Sequence, residues 1–448
     1  MKFRRILSVF LIFVCSVLLL TPAAYALDPI EVNAQAALLV DTAEDTILYS
    51  KNEHKKMYPA SITKVMTALL VMEAVERGEL SFDQMITASE SAISSIPWYG
   101  SSADIKVGEQ MRLKDLMYCI MLASANEACN IIAEVTAGSI SAFVARMNQR
   151  AQELGCVNTH FVNPHGLHDP DHYTTAWDIY LMGQEVLKSE TLMAICNTLS
   201  YQVPATNMSA ARELHTTNSL ISNWHIIGYL YQGAEGIKTG NTTEAGHCLL
   251  SSAVRSGRRL MCVVLGCDGS GTEILSFSDS AALYNYGFNN FTTKSILSSN
   301  DLIAEVPVEL SKETNYVVVH PAADAKTILP NDVDPASLER TITLTNEVAF
   351  APVTKGQVMG EITLSFEGRV CATVPLLAQY DVGASKFLTV KYQVEQFFAQ
   401  TIVKIALVAL VLLVAAIVVW WKFFRRKRRY GNSSRRSRRS RSYRGRRR

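Results

Sequence analysis

Ser61-Ile62-Thr63-Lys64 puts a hydroxyl and an amine three residues apart, just after Tyr58-Pro59-Ala60. Residues at i and i+3 of a helix share one face, so the two side chains point the same way. The run that follows, Val65 to Val75, is a strong helix former. The pair therefore sits near a helix N-terminus, where free backbone N–H groups favour a developing negative charge. A serine becomes a good nucleophile only beside a base, and a lysine can be that base if burial or a second cation keeps it neutral. The spacing alone does not decide the matter, because an N-capping serine followed by a solvated lysine reads the same. Two further strings carry polar groups in apolar surroundings. Ser124-Ala125-Asn126 lies at the junction of two apolar helices, where polar groups can face a cleft, and Lys238-Thr239-Gly240 opens a strand pair ending near Leu265.

The elements that must hold these residues follow from the hydropathy pattern. Ala36 to Asp41 and Thr46 to Lys51, separated by Thr42-Ala43-Glu44-Asp45, predict a β-hairpin leading to the Ser61 helix. Helical periodicity covers Leu113 to Leu122, Glu127 to Thr136, Ile140 to Leu154 and Thr175 to Leu187. A second hairpin runs from Gly246 to Ala253, turns at Ser256-Gly257 and returns from Arg259 to Leu265, and a helix over about 272–286 closes the region. Strands at both ends with helices between predict one sheet joining the two chain segments, flanked by helices. From about Ser298 the pattern changes to short alternating strands (303–310, 316–320, 341–345, 360–366 and 369–376), the mark of a small β-sandwich or barrel. That region holds no cluster of nucleophiles or metal ligands. Residues 384–400 read as a partly helical stalk.

At 448 residues the chain is too long for one typical domain, and both ends are special. Lys2, Arg4 and Arg5 precede an apolar run from Ile6 to Leu20 and then Ala24-Tyr25-Ala26, which predicts a secretory signal removed after Ala26. Ile405 to Trp421 is an unbroken run of 17 apolar residues, extended by its flanks to the roughly 20 that a bilayer requires. From Lys422 to Arg448 the tail holds 15 Lys+Arg and no acid, so positive-inside logic puts it in the cytoplasm and the rest of the mature chain outside. The formal net charge of +2 hides this division: without tail and signal, 25 Lys+Arg face 41 Asp+Glu, a net of −16. An Arg-Ser-rich tail in isolation would suggest nucleic acid, but next to a membrane helix it predicts contact with anionic lipid head groups and no nucleic-acid partner.

Eight cysteines remain after the signal, with no C-x-x-C among them. Cys119, Cys129, Cys248 and Cys262 lie in strongly apolar segments and read as buried small hydrophobes, with no pairing assignable. The string His165-Gly166-Leu167-His168-Asp169-Pro170-Asp171-His172 has metal-ligand residue types, but Pro164 just before it and Pro170 within it limit how they could converge.

The order Ser-x-x-Lys, Ser-x-Asn, Lys-Thr-Gly, with steps of 63 and 114 residues, is that of penicillin-binding proteins and active-site-serine β-lactamases. Within that group the chain most closely resembles the D-alanyl-D-alanine carboxypeptidases of serine peptidase family S11. The resemblance covers about residues 30–295 and extends to Pro59 through Thr67, Asn163-Pro164-His165-Gly166-Leu167, Tyr173-Thr174-Thr175-Ala176, and Gly236-Ile237-Lys238-Thr239-Gly240 continuing to Ala245-Gly246. Glu127, following Asn126, departs from the Asp that many members carry.

The resemblance implies a mixed α/β fold: a penicillin-binding-protein-like catalytic domain with an antiparallel sheet flanked by helices, a small all-β domain and a C-terminal transmembrane helix. The implied divisions are signal peptide 1–26, catalytic domain 27–295, β-sandwich 296–390, stalk 391–401, membrane helix 402–424 and cytoplasmic tail 425–448. It implies that Ser61 attacks the carbonyl of the penultimate D-alanine of a peptidoglycan stem peptide, that Lys64 takes its proton with Lys238 helping to depress its pKa, and that Ser124 relays protons towards Lys238. Asn126 would orient the Lys64 amine and the substrate amide. Lys238 and Thr239 would hold the terminal carboxylate, Gly240 completes that motif, and backbone N–H groups of Ser61 and Asn241 would form the oxyanion hole. No cofactor and no metal are implied, and β-lactams are expected as covalent inhibitors. A class A β-lactamase would need a deacylating glutamate in an E-x-x-L-N string, and none follows Asn126. Endopeptidase action on the same substrate remains open from sequence, because cleft shape chooses the acceptor.

Overall fold

The structure is a computed structural model that describes residues 30–430, with side chains as far as Phe423. The expected signal peptide and the end of the basic tail lie outside the described residues. The chain divides into two compact units, Met1–Lys294 with Thr327–Pro335, and Ser295–Lys326 with Ala336–Arg448.

The first unit is built on a five-stranded sheet. Its strands are β1 (Ala36–Asp41), β2 (Thr46–Lys51), β3 (Ala234–Thr242), β4 (Gly246–Arg255) and β5 (Arg258–Cys267), in the order β2-β1-β5-β4-β3. All neighbours are antiparallel, and β1 runs in register with β5 from Ala36 opposite Leu265 to Asp41 opposite Leu260. The helices are α1 (Lys64–Glu76), α2 (Leu113–Met121), α3 (Asn126–Ala137), α4 (Ile140–Glu153), α5 (Ala176–Lys188), α6 (Glu190–Cys196) and α7 (Leu275–Asn290).

Both faces of the sheet are covered, which explains why all six residues of β1 are buried. Ala36, Leu38 and Val40 share a core with α1 through α6, whereas Ala37 and Leu39 point the other way into a core with Phe277, Leu283 and Tyr284 of α7. Helix α1 has no polar stripe: ten of its thirteen residues, Lys64 among them, are buried. A helix that is apolar all round belongs in the middle of a domain. Ser61 therefore stands at the head of a largely enclosed helix.

The second unit holds β6 (Ala304–Glu309), β7 (Tyr316–Pro321), β8 (Glu339–Leu344), β9 (Ala349–Phe350), β10 (Val358–Phe366) and β11 (Arg369–Ala378). They form one sheet in the order β8-β10-β11-β7-β6-β9, antiparallel except for β6 with β9. Alternate residues such as Val306, Val308, Val317, Val319, Ile362 and Leu364 are buried, the period-two pattern of a sheet with one covered face. After β11 come α8 (Lys386–Ala399) and α9 (Thr401–Tyr430). Within α9, Thr401–Phe423 is long and apolar enough to cross a bilayer.

Candidate active site

Ser61 lies in a 3-10 turn, Ala60–Thr63, that runs directly into α1. Sequence periodicity suggested a continuous helix here. The turn is tighter because Ala60 has φ +46°, in the left-handed region that an L-residue adopts only when its surroundings hold it there. Those surroundings are specific. Thr63 Oγ1 donates to Ala60 O at 2.8 Å and lies 2.8 Å from His172 Nε2, while His172 Nδ1 accepts from Val162 N at 3.2 Å. Because Nδ1 accepts, Nε2 carries the proton and donates to Thr63. Burial lowers the His172 pKa to about 4, so the ring stays neutral and keeps this tautomer. Gly166, with φ +88°, packs over the same carbonyl, and a Cβ there would fall well inside contact distance of Ala60 O.

Lys64 is fully buried, and its amine meets three oxygens: Ser61 Oγ at 2.9 Å, Asn126 Oδ1 at 2.7 Å and His165 O at 2.7 Å. Asn163 Oδ1 accepts from His165 N (3.3 Å) and Gly166 N (2.7 Å) and so fixes the loop that presents this carbonyl. Burial lowers the Lys64 pKa to about 8, with Cys129 and Glu127 acting in the opposite sense. A neutral amine has two N–H groups and one lone pair. Given to Asn126 Oδ1 and His165 O, the two N–H groups leave the lone pair facing the Ser61 hydroxyl, the geometry of a general base.

Ser124 sits between α2 and α3, and Asn126 is the first residue of α3. Ser124 has φ +58°, and its buried Oγ has no hydrogen-bond partner among the described residues. Strand β3 brings Lys238-Thr239-Gly240 against the nucleophile turn: a Cβ on Gly240 would stand 2.8 Å from Pro59 O and 3.1 Å from Ser61 N. Lys238 is 1% exposed and its amine donates to Thr239 O at 3.0 Å. Burial, and then the Lys64 cation, lowers its pKa to about 7. Thr239 Oγ1 shares a 2.6 Å hydrogen bond with Thr217 Oγ1. The fold thus gathers Ser61, Lys64, Asn126, Lys238, Thr239 and Gly240, drawn from a turn, two helices and one strand.

Residues 23–269, more than half of the chain, match the family described as Peptidase S11, D-alanyl-D-alanine carboxypeptidase. The chain belongs to this S11 carboxypeptidase family. Residues 291–384 match the C-terminal domain of penicillin-binding protein 5. Among curated proteins, the D-alanyl-D-alanine carboxypeptidase DacF of Bacillus subtilis is 31% identical over 394 residues, which is 86% of this chain and 96% of that protein. Among solved structures, penicillin-binding protein 5 of Haemophilus influenzae gives a TM-score of 0.62 at 28% identity, covering 80% of this chain and all of that one. Ampicillin-bound penicillin-binding protein D2 of Listeria monocytogenes gives 0.50 at 27% identity, over 58% of this chain and all of that one. The chain is a serine-type D-alanyl-D-alanine carboxypeptidase with the mixed α/β fold of the penicillin-binding proteins, followed by an all-β domain.

Residues without a short-motif signal also line this candidate site. Thr217, the His165 carbonyl and the Thr63–His172 pair become visible only when distant segments meet. The histidine-rich string disperses: His172 supports the turn, His165 is buried, the Asp171 carbonyl faces His160 outside the string, and His168 stands edge-on to Tyr58 at 4.7 Å. Among the described residues, no group of three or more His, Cys, Asp or Glu side chains is placed to hold a metal ion. Seven of the eight described cysteines are buried, and all eight are unpaired.

Proposed function

We propose that the S11 carboxypeptidase reaction proceeds on Ser61 with Lys64 as its base. The observation that carries this reading is the Lys64 amine, 2.9 Å from Ser61 Oγ and held by Asn126 and His165 so that its lone pair faces the hydroxyl. Ser61 Oγ attacks the carbonyl of the penultimate D-alanine as its proton passes to Lys64 Nζ. The oxyanion takes hydrogen bonds from the backbone N–H groups of Ser61 and Asn241. Collapse breaks the peptide bond, and Lys64 passes the proton it took from Ser61 to the leaving D-alanine amine by way of Ser124, whose free hydroxyl suits a relay, so Lys64 is neutral again. Water then attacks the acyl-Ser61 ester as Lys64 takes its proton, the ester bond breaks, Lys64 returns that proton to Ser61 Oγ, and the shortened stem peptide leaves.

Thr239 binds the substrate's terminal carboxylate, with Thr217 orienting its hydroxyl and the buried Lys238 cation supplying the field. A β-lactam carries a strained amide and a carboxylate in the same relation, so it acylates Ser61 and remains bound; the ampicillin-bound relative supports this. The signal segment would export the chain, the apolar stretch Thr401–Phe423 would anchor it, and the basic tail would stay in the cytoplasm against anionic lipid. The substrate is then peptidoglycan at the outer face of that membrane.

The test uses the detergent-solubilised full chain, a fluorescent penicillin and a peptide ending in D-Ala-D-Ala. Ser61→Ala should abolish both covalent labelling and D-alanine release. Labelling that persists in the variant would overturn the assignment of the nucleophile.

A further inference from the structure

Two of the most exposed aromatic side chains of the catalytic unit stand beside this cleft, and the carboxypeptidase chemistry uses neither. Trp98 is 95% exposed and Tyr99 is 70% exposed, with their rings edge to face at 5.8 Å and 84°. They are the two central residues of a β-turn closed by Gly100 N donating to Pro97 O at 2.9 Å. That turn is fastened to the catalytic machinery. A Cβ on Gly100 would stand 2.8 Å from Asn126 Nδ2, so only glycine lets the turn lie on the amide that orients Lys64. The next residue, Ser101, accepts Asn126 N at 2.8 Å.

Both flanks are tied to α3, whose first residue is Asn126. Before the turn, Asn130 Nδ2 donates to Ala92 O (3.1 Å) and Ser95 Oγ (3.0 Å), and the Glu134 carboxylate accepts the hydroxyls of Ser89 and Ser91. After it, Glu127 Oε1 accepts Ser102 Oγ and Ala103 N, each at 2.7 Å. A segment so heavily tied is not a loose loop. Large apolar rings held out in water on a rigid support mark a surface built to be covered.

We propose that Trp98 and Tyr99 form a subsite for the sugar rings of the glycan strand that bears the stem peptide. The proposal rests on the carboxypeptidase reading and adds the part of the substrate beyond the peptide. A stem peptide seated at Ser61 is covalently joined to a sugar, and this turn, packed on Asn126, lies within reach of what extends from that site. Pyranose rings present C–H faces that pack on aromatic rings, and their hydroxyls seek polar neighbours. The exposed Ser101 beside the pair supplies such a neighbour, and the outward lone pair of the exposed Ser94 hydroxyl, which donates to Glu90 O, supplies an acceptor. A patch of two rings among serines is too small for a stable protein interface. It is the right size for one or two sugars.

The experiment compares D-alanine release by the full chain in detergent from two substrates: a free pentapeptide ending in D-Ala-D-Ala, and the same pentapeptide attached to an uncross-linked glycan chain. In the double variant Trp98→Ala, Tyr99→Ala, kcat/KM on the glycan-linked substrate should fall about ten-fold, chiefly through KM, as expected for loss of two aromatic anchors. The free pentapeptide should change by less than about two-fold. Trp98→Phe with Tyr99→Phe should retain most of the glycan advantage. Equal losses on both substrates would overturn the proposal and make the turn a positioning element for Asn126. Unchanged glycan kinetics would overturn it too, including the case where the variant loses only binding to anionic lipid vesicles. Failure of the carboxypeptidase reading shows separately, as wild-type enzyme that releases no D-alanine from either substrate.

Discussion

Removing the second lysine isolates the base. The productive form needs Lys64 neutral and Lys238 charged, and burial sets their pKa values at about 8 and about 7. At pH 7 a lysine titrating at 8 is about one-eleventh neutral, whereas an ordinary lysine at 10.5 is neutral in roughly one molecule in 3,000, so burial raises the supply of base about 300-fold. The same shift corresponds to a penalty on the order of 3 kcal/mol on the charged form. Acylation by penicillin should therefore follow a bell centred between pH 7 and 8, with macroscopic limbs that belong to the pair. In Lys238→Gln the alkaline limb should vanish while the acid limb persists, displaced upward because a repelling cation has gone. The plateau should drop by about 10- to 100-fold, the worth of a charge-assisted hydrogen bond to the β-lactam carboxylate. Second-order labelling rates with fluorescent penicillin from pH 5.5 to 9.5 measure this. A wild-type rate that is flat from pH 6 to 9, or an alkaline limb that survives in Lys238→Gln, would refute the reasoning. For folding, both lysines titrate below their unfolded value of 10.5. Their penalty is then full below about pH 7 and relieved as pH rises towards 10.5.

Two further outcomes follow from the nucleophile turn. Gly166→Ala must move Ala60 or unwind a φ of +88°, so it should cost at least about 3 kcal/mol of stability, read as a lower Tm, and slow penicillin labelling in the protein that still folds. Replacing His172 by Phe removes the donor that orients Thr63 and should cost about 1–3 kcal/mol with slower acylation. In the wild type, burial holds His172 at about 4 and His165 at about 3, so stability should be full above pH 6.5. It should then fall as acid drives protons onto these rings in the unfolded chain first. Urea titrations at pH 7, 5.5 and 4.5 check both statements.

The parts of the site that the sequence made legible are those fixed by local chemistry. Ser61 and Lys64 are neighbours on one turn, Ser124 and Asn126 flank a helix start, and the hairpin over Ala36–Asp41 and Thr46–Lys51 falls at the expected residues. What stayed hidden depends on distant segments meeting. The left-handed Ala60 has no local signature, because Gly166 and Thr63 impose it. Thr217 is one hydroxyl among many until β3 brings Thr239 to it. The hairpin of Ser200–Val203 with Arg212–His215 was not foreseen, since its strands are only four residues each. The role given to Lys238 also changes in emphasis: burial leads in depressing Lys64, and between the two lysines it is Lys64 that depresses Lys238.

The place of β1 in the sheet bears on when the enzyme becomes active. This strand emerges early in synthesis, yet its partner β5 lies more than two hundred residues later, with Leu265 opposite Ala36. Until that stretch has been made, β1 has only the hairpin with β2, and an isolated hairpin is marginal in water. Closing so long a loop is a late and slow event. Lys238 lies on β3, which is joined to β1 in the sheet only through β4 and β5, so the acylating centre cannot assemble before those strands are made. Reactivity towards D-alanyl peptides and β-lactams then arises in a single late step, and any truncation short of Cys267 should yield a protein without a nucleophile rather than a weaker enzyme.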